Sequence, residues 1–78
     1  MVTPEYVKSL IAAGVACEHL DVSGDGSHFE AVIVSAAFAG KSRVARHQLV
    51  NRALGAQMGN EIHALSMKTL TPEEWRDA

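Results

Sequence analysis

The stretch that decides the fold runs from Ser27 to His63 and reads SHFEAVIVSAAFAGKSRVARHQLVNRALGAQMGNEIH. It begins with a β-rich run from His28 to Ser35, continues through roughly 25 residues of helical pattern, and enters a second β-like run over residues 62–70. Such a strand, crossover and strand normally forms two parallel neighbours with a right-handed connection. Because both parallel strands begin at the same end of a sheet, we expect His28 and His63 to share one edge.

The segments before this stretch predict a helix and a hairpin. Thr3-Pro4-Glu5 is typical of a helix start, so we expect a helix from about Thr3 to Ala13, ended by Gly14 in the left-handed conformation. Alternating polar and apolar residues follow, and the glycine-rich turn over residues 23–27 would make Leu20 to Ser35 a hairpin with positive φ at its glycines. Apolar residues on both faces of the second strand predict that it is central.

The crossover predicts a helix capped by Ser42. Two apolar stripes on its helical wheel favour two short helices divided near Arg46, which is a helix-turn-helix outline. The segment from Gly40 to Arg43 lies where a type II KH domain carries its Gly-x-x-Gly backbone clamp, but Arg43 replaces the second glycine. The chain is therefore expected to share the KH shape without its RNA-gripping loop.

The C-terminal segment completes the prediction. Residues 61–70 alternate as a strand, and Thr71 with Glu74 meets the capping-box pattern for a short helix that Trp75 pins to the body. The predicted fold class is α+β, of type II KH-like order α-β-β-α-α-β-α, with a three-stranded mixed sheet covered by helices. Its 78 residues predict a single domain, 1–78.

Composition limits the function classes. The sequence has no apolar run long enough to span a bilayer and no signal-peptide pattern, so we expect no membrane association and a cytoplasmic location. One cysteine cannot form an internal disulfide. The net charge of −2 conceals a basic island over residues 31–60, which contains no acidic residue. Its cations are Lys41, Arg43, Arg46 and Arg52.

The residues able to carry chemistry are few. No catalytic motif is present and Cys17 is expected to be a small packed residue, so enzyme activity is not expected. His19 should face water or the sheet rim. His47, on an apolar stripe, suggests either a packed ring or a contact to nucleic acid. His63, at the start of a strand, can keep a ring nitrogen exposed and bind a borderline metal.

The motifs also resemble a known family. Ser-His-Phe, Phe-x-Gly-x-Ser-x-Val-x-Arg-His, Ile-His-Ala-Leu and Thr-Pro-Glu-Glu-Trp occur in the order typical of BolA proteins, and Val-Ser-Gly-Asp-Gly-Ser-His-Phe is similar to the IbaG branch. The resemblance covers about Leu20 to Trp75 and implies a BolA-like fold. It also implies a monothiol glutaredoxin as partner, with which BolA-like proteins share a [2Fe-2S] cluster. His63, in the Ile-His-Ala motif, corresponds to the family's ligand.

Family members often supply a second ligand from the loop joining the first two strands. Near that position this chain has two side chains able to ligate, His28 and Asp25, and His28 is the predicted second ligand. No cluster is expected in the isolated protein, because two imidazoles are too few ligands. The alternative function is a nucleic-acid-binding regulator that binds DNA weakly through the helix-turn-helix. Its contacts would be Lys41, Arg43, Arg46, His47 and Arg52. A purely structural interaction module would need neither His28 nor His63.

Overall fold

The computed structural model describes residues 2–25, 28–58, 62 and 64–78. Over these ranges the helices are α1 (Pro4–Gly14), α2 (Arg43–Leu54) and α3 (Pro72–Asp77), and the strands are β1 (His19–Gly24), β2 (His28–Val34) and β3 (Ala64–Leu70). Short 3-10 turns, Ala36–Phe38 and Gly55–Gln57, flank α2. The predicted α+β class is confirmed. No helix in the described ranges has both the length and the apolarity needed to cross a membrane.

The described strands form one mixed sheet in the order β1-β2-β3. β1 pairs with β2 antiparallel, which confirms the hairpin, and β2 pairs with β3 parallel, which confirms the crossover. β2 is the central strand, as its two apolar faces predicted. His28 pairs in register with Ala64, so β2 and β3 do begin at the same end of the sheet. His63, which precedes Ala64 in the sequence, lies outside the described residues.

One face of the sheet and two helices enclose the core. Phe29, Ala31 and Ile33 alternate along β2 and are all buried. The α1 and α2 side chains that pack on this face are Val7, Ile11, Val50 and Leu54. The spacing of four residues within each helix places its two side chains on one stripe. The helical crossover therefore packs on the same sheet face as α1.

Gly14 has a different structural role from the one predicted. α1 begins as expected, with the Thr3 hydroxyl accepting from the Tyr6 N–H at 3.1 Å. At its other end, however, Gly14 is the last helical residue and does not adopt a positive φ. A Cβ built at Gly14 would overlap the Cβ of Ala53 on α2. Glycine is needed here because the two helices approach closely, so the prediction of a left-handed stop was wrong.

Replacing Gly14 by alanine is expected to destabilise the fold by about 1–3 kcal/mol, because the added methyl group must displace α2. In an open helix the same change would stabilise by up to about 1 kcal/mol. Urea unfolding of Gly14→Ala, Ala53→Gly and the double variant tests this. A positive coupling between the two sites is expected, with the double variant more stable than the sum of the single changes implies. Strict additivity would contradict the close contact.

The prediction of two short crossover helices divided near Arg46 was also wrong, because α2 runs unbroken from Arg43 to Leu54. The Ser42 hydroxyl accepts from the Ala45 N–H at 3.2 Å and starts the helix, and no glycine or proline interrupts it before Gly55, whose φ is +59°. The two apolar stripes have another cause. One packs into the core through Val50 and Leu54, while Ala53 contacts α1.

The last helix confirms the capping-box prediction. The Thr71 hydroxyl accepts from the Glu74 N–H at 3.1 Å, and Glu74 Oε1 accepts from the Thr71 N–H at 2.8 Å. Trp75 pins α3 to the body through a contact that the sequence did not reveal. Its ring stacks on His19 of β1, with centroids 4.7 Å apart and planes inclined by 17°. His19 therefore forms part of the packing between sheet and helix.

Candidate functional site

The first candidate site is the edge where β2 and β3 begin. His28 is exposed there, and its main chain is fixed by the hairpin turn. The His28 N–H donates to Asp25 Oδ1 at 3.0 Å, and the Asp25 N–H donates to the His28 carbonyl at 3.2 Å. These bonds hold the first residue of β2 while its side chain remains accessible. The remainder of the predicted turn, Gly26 and Ser27, lies outside the described residues.

Gly24 lies where the end of β1 approaches the start of β2 closely, beside His28. Its φ is not positive, contrary to the prediction for this turn, but a Cβ at this position would collide with the Phe29 ring and the His28 carbonyl oxygen. Close approach of the two strands therefore requires glycine. The absence of a side chain at Gly24 thus lets His28 and Phe29, at the start of β2, pack against the end of β1.

The described residues can supply part of a ligand set for iron. In residues 2–25, 28–58, 62 and 64–78, no three histidine, cysteine, aspartate or glutamate side chains converge into a metal-binding group. The exposed His28 imidazole is a suitable single ligand, because a neutral ring nitrogen binds borderline metals. Within the described residues this edge therefore offers one imidazole, which by itself cannot hold a cluster.

Cys17 does not belong to this edge. It precedes β1, whose first residue, His19, pairs with Val34 at the far end of β2 from His28. The Cys17 thiol is half-buried and donates to the Val15 carbonyl at 3.2 Å, and burial raises the pKa of this thiol. A raised pKa leaves less reactive thiolate at neutral pH. Cys17 is therefore a packed residue, as the sequence predicted.

A second candidate site is a groove of about 580 Å³ between the first turns of α2 and the second half of β3. We call it the α2–β3 groove. Four basic-island residues line it, together with Lys68 and the end of β3. The island residues are Lys41, Arg43, Arg46 and His47. Arg52, the remaining predicted nucleic-acid contact, is exposed on the last turn of α2 and is not part of the groove lining.

Arg46 is bound by other parts of the chain. Its Nε donates to the Lys41 carbonyl at 2.9 Å, and Nη1 donates to the Thr69 carbonyl at 3.1 Å. Nη1 also donates to Glu74 Oε1 at 2.8 Å, while Nη2 is 3.4 Å from Oε2. The side chain is only 13% exposed, and the guanidinium lies 6.0 Å from the centre of the Phe38 ring. Arg46 thus joins α2, β3 and α3 and has little capacity left for a ligand.

The other groove residues differ in accessibility. Lys41 and Arg43 are exposed, whereas His47 is half-buried. Lys68 is an exposed residue of β3 and was not among the predicted contacts. The alternation of β3 could have indicated this exposed lysine, because Ser66 and Lys68 occupy the polar positions of the strand.

Comparison with known proteins assigns the family. The model of the family described as BolA-like protein matches residues 11–74. This chain belongs to the BolA family. The match includes all three described strands and α2, so it covers the described residues of both candidate sites.

Individual BolA relatives are similar over most of the chain. A DNA-binding transcriptional regulator BolA from Vibrio cholerae is 41% identical over 94% of this chain and 66% of its own length. The acid stress protein IbaG of Escherichia coli is 40% identical over 88% of this chain and 83% of its own. The solved structure of a bolA protein homologue from Coxiella burnetii, 44% identical, covers 97% of this chain and 99% of its own, with a TM-score of 0.87. The BolA fold is therefore shown by both sequence and structure.

Proposed function

We propose that this chain is a non-enzymatic cytoplasmic adaptor that binds a monothiol glutaredoxin and shares a [2Fe-2S] cluster with it. His63 would be its principal ligand and His28 the second. The observation that carries the proposal is the parallel register of β2 and β3, in which His28 pairs with Ala64, the residue after His63. BolA family membership and the motif around His63 support the same role.

The available donors favour sharing over permanent storage. Iron-sulfur clusters are normally held by four protein ligands, and the proposed pair on this chain supplies two imidazoles. Histidine ligands raise a cluster's reduction potential relative to thiolates, and a protonated imidazole cannot ligate. Asp25 fixes the backbone of His28, so its ring can meet a partner without reordering the turn. The test is a change in the visible circular dichroism of a cluster-loaded glutaredoxin when this protein is added.

A second function is favoured by a specific surface. Lys41, Arg43 and Lys68 are exposed around the α2–β3 groove, and the similar protein from Vibrio cholerae is named a DNA-binding transcriptional regulator. We propose weak binding of duplex DNA through these cations. The overall charge of −2 limits the affinity, because sequence-independent binding depends on neutralising phosphates.

Arg43→Ala is expected to weaken duplex binding similarly on all sequences and to lower the salt slope by about 1, since one phosphate contact is lost. Fluorescence anisotropy with two unrelated duplexes, between 50 and 200 mM salt, measures both effects. Lys8→Ala, which removes an exposed cation from α1, is the matched control and should bind like the wild-type protein. Binding that is selective for sequence and insensitive to salt would contradict this mechanism.

A further inference from the structure

The outer edge of β3 borders the α2–β3 groove. β3 is the last strand of the described sheet and pairs with β2 on one side only. On its other side, Met67, Lys68 and Thr69 line the groove opposite the first turns of α2. A groove between a sheet edge and a helix has the shape that extended peptides use when they add a strand to a sheet. The α2–β3 groove lies along the second half of β3, away from the end of the sheet where β3 begins and His28 lies.

Hydrogen bonds at the end of β3 show which main-chain groups face the groove. The Leu70 carbonyl accepts from the Ser35 N–H at 2.9 Å, on the β2 side, whereas the Thr69 carbonyl accepts from Arg46 on the opposite side. Alternate residues of a strand direct their main-chain groups to the same side. The N–H and C=O of Met67 consequently point away from β2, as those of Thr69 do. Arg46 covers the Thr69 carbonyl, so that this acceptor is already satisfied.

The unpaired positive charges around the groove favour an acidic binding partner. Arg46 is neutralised by Glu74 at 2.8 Å, whereas within the described chain Lys41, Arg43 and Lys68 form no ion pair. Glu74, the acidic residue of the lining, is therefore already matched. The surface left to a partner is cationic and has Met67 on its floor. A strand carrying acidic side chains beside small apolar ones complements it.

We propose that the α2–β3 groove captures an extended acidic peptide of a partner protein, which adds as a strand to the edge of β3. Met67 supplies the main-chain hydrogen bonds, and Lys68, Arg43 and Lys41 contact the acidic side chains. A second copy of this chain fits less well, since pairing two β3 edges would bring their lysines together. Nucleic acid would use the cations and leave the Met67 main chain unpaired. The peptide therefore accounts for both features of the groove.

This peptide site goes beyond the cluster-sharing function and is spatially distinct from it. Met67 is three residues after Ala64 in β3, and the groove extends from there toward Leu70. At about 3.3 Å per strand residue, the groove lies roughly 10–20 Å from the edge that carries His28. A partner at that edge and a peptide in the groove can bind together.

The test is a titration of the ¹⁵N-labelled full chain at low salt with a blocked octapeptide of the repeat Glu-Glu-Val-Val, whose glutamates project on both faces of an extended strand. The largest amide shifts are expected at Met67 and Thr69, with slowed hydrogen exchange at Met67. Lys68→Glu and Arg43→Glu should each weaken binding by about tenfold, which corresponds to loss of one charge-assisted contact. Lys8→Glu, the same reversal on α1, should change it less than about twofold.

Three further probes make the result decisive. A lysine-valine octapeptide should bind far more weakly, and a duplex oligonucleotide should not protect the Met67 amide. Lys68→Glu should still share a cluster with glutaredoxin, because Lys68 lies four residues along β3 from Ala64, the register partner of His28. Absence of binding by the acidic peptide overturns the proposal. Equal loss with Lys8→Glu, or shifts confined to residues other than those of β3, overturns it as well.

Discussion

His63→Ala is expected to abolish the change in visible absorption and circular dichroism that the proposed function predicts when the wild-type protein is mixed with a cluster-loaded monothiol glutaredoxin. The wild-type spectrum should differ from that of the glutaredoxin alone, because nitrogen replaces sulfur on one iron. Loss of the imidazole removes that substitution. Size-exclusion chromatography of the same mixtures measures whether a one-to-one heterodimer forms.

His28→Ala and His47→Ala separate the proposed ligand pair from the other histidines. His28→Ala should shift the spectrum or hasten loss of the cluster, since it removes the exposed ring at the start of β2. His47→Ala is the matched control, because its ring lies in the α2–β3 groove and should not alter the spectrum. All three variants should retain the wild-type far-ultraviolet circular dichroism. A wild-type spectrum from His63→Ala would refute the adaptor proposal for this chain.

The histidine pair also shows what the sequence could predict. A β-rich run, a helical crossover and a second run required parallel strands with a shared starting edge, and the His28–Ala64 register confirms that topology. The caps at Thr3, Ser42 and Thr71 were equally predictable. Each cap depends on a side chain and an amide three residues later in the sequence. Such local chemistry is readable without a tertiary structure.

Contacts between distant parts of the chain were not readable. Gly14 looked like a helix stop, and only the packing of α1 on α2 shows that Ala53 excludes a side chain there. His19 and Trp75 are 56 positions apart in the sequence, and nothing in either local pattern indicates their stacking. Arg46 was a candidate for binding nucleic acid because it belongs to a basic island. Its acceptors come from β3 and α3, whose positions follow from the whole fold.

Arg46→Ala is expected to destabilise the protein by about 3 kcal/mol, the largest stability change among the variants considered, because one nearly buried guanidinium joins three elements. The substitution removes the donors to the Lys41 and Thr69 carbonyls and the partner of Glu74. Arg46→Lys should recover less than half of the loss, since an ammonium cannot reproduce the guanidinium fork. Urea unfolding at neutral pH measures these changes.

Arg52→Ala is the matched control on the same helix, where an exposed arginine should contribute within about 0.5 kcal/mol. If Arg46→Ala and Arg52→Ala unfolded at the same urea concentration, the Arg46 contacts would not contribute to stability. Loss of nucleic-acid binding in Arg46→Ala at full stability would instead restore its role as a contact residue.

The acid dependence of unfolding tests the same contacts from the side of Glu74. Hydrogen bonds from Arg46 and from the Thr71 N–H lower the pKa of the Glu74 carboxyl from 4.5 to about 2. A carboxyl with a depressed folded-state pKa stabilises the fold above its unfolded pKa, and this contribution disappears as the pH falls toward the folded pKa. The difference in unfolding midpoint between the wild-type protein and Glu74→Gln should therefore be largest near pH 7, shrink from about pH 5 downward, and approach its minimum near pH 2.

In the Arg46→Ala background the acid dependence due to Glu74 should weaken, because the largest cause of the lowered pKa is gone. An unchanged acid dependence in that background would show that the Thr71 cap, rather than Arg46, holds the carboxylate.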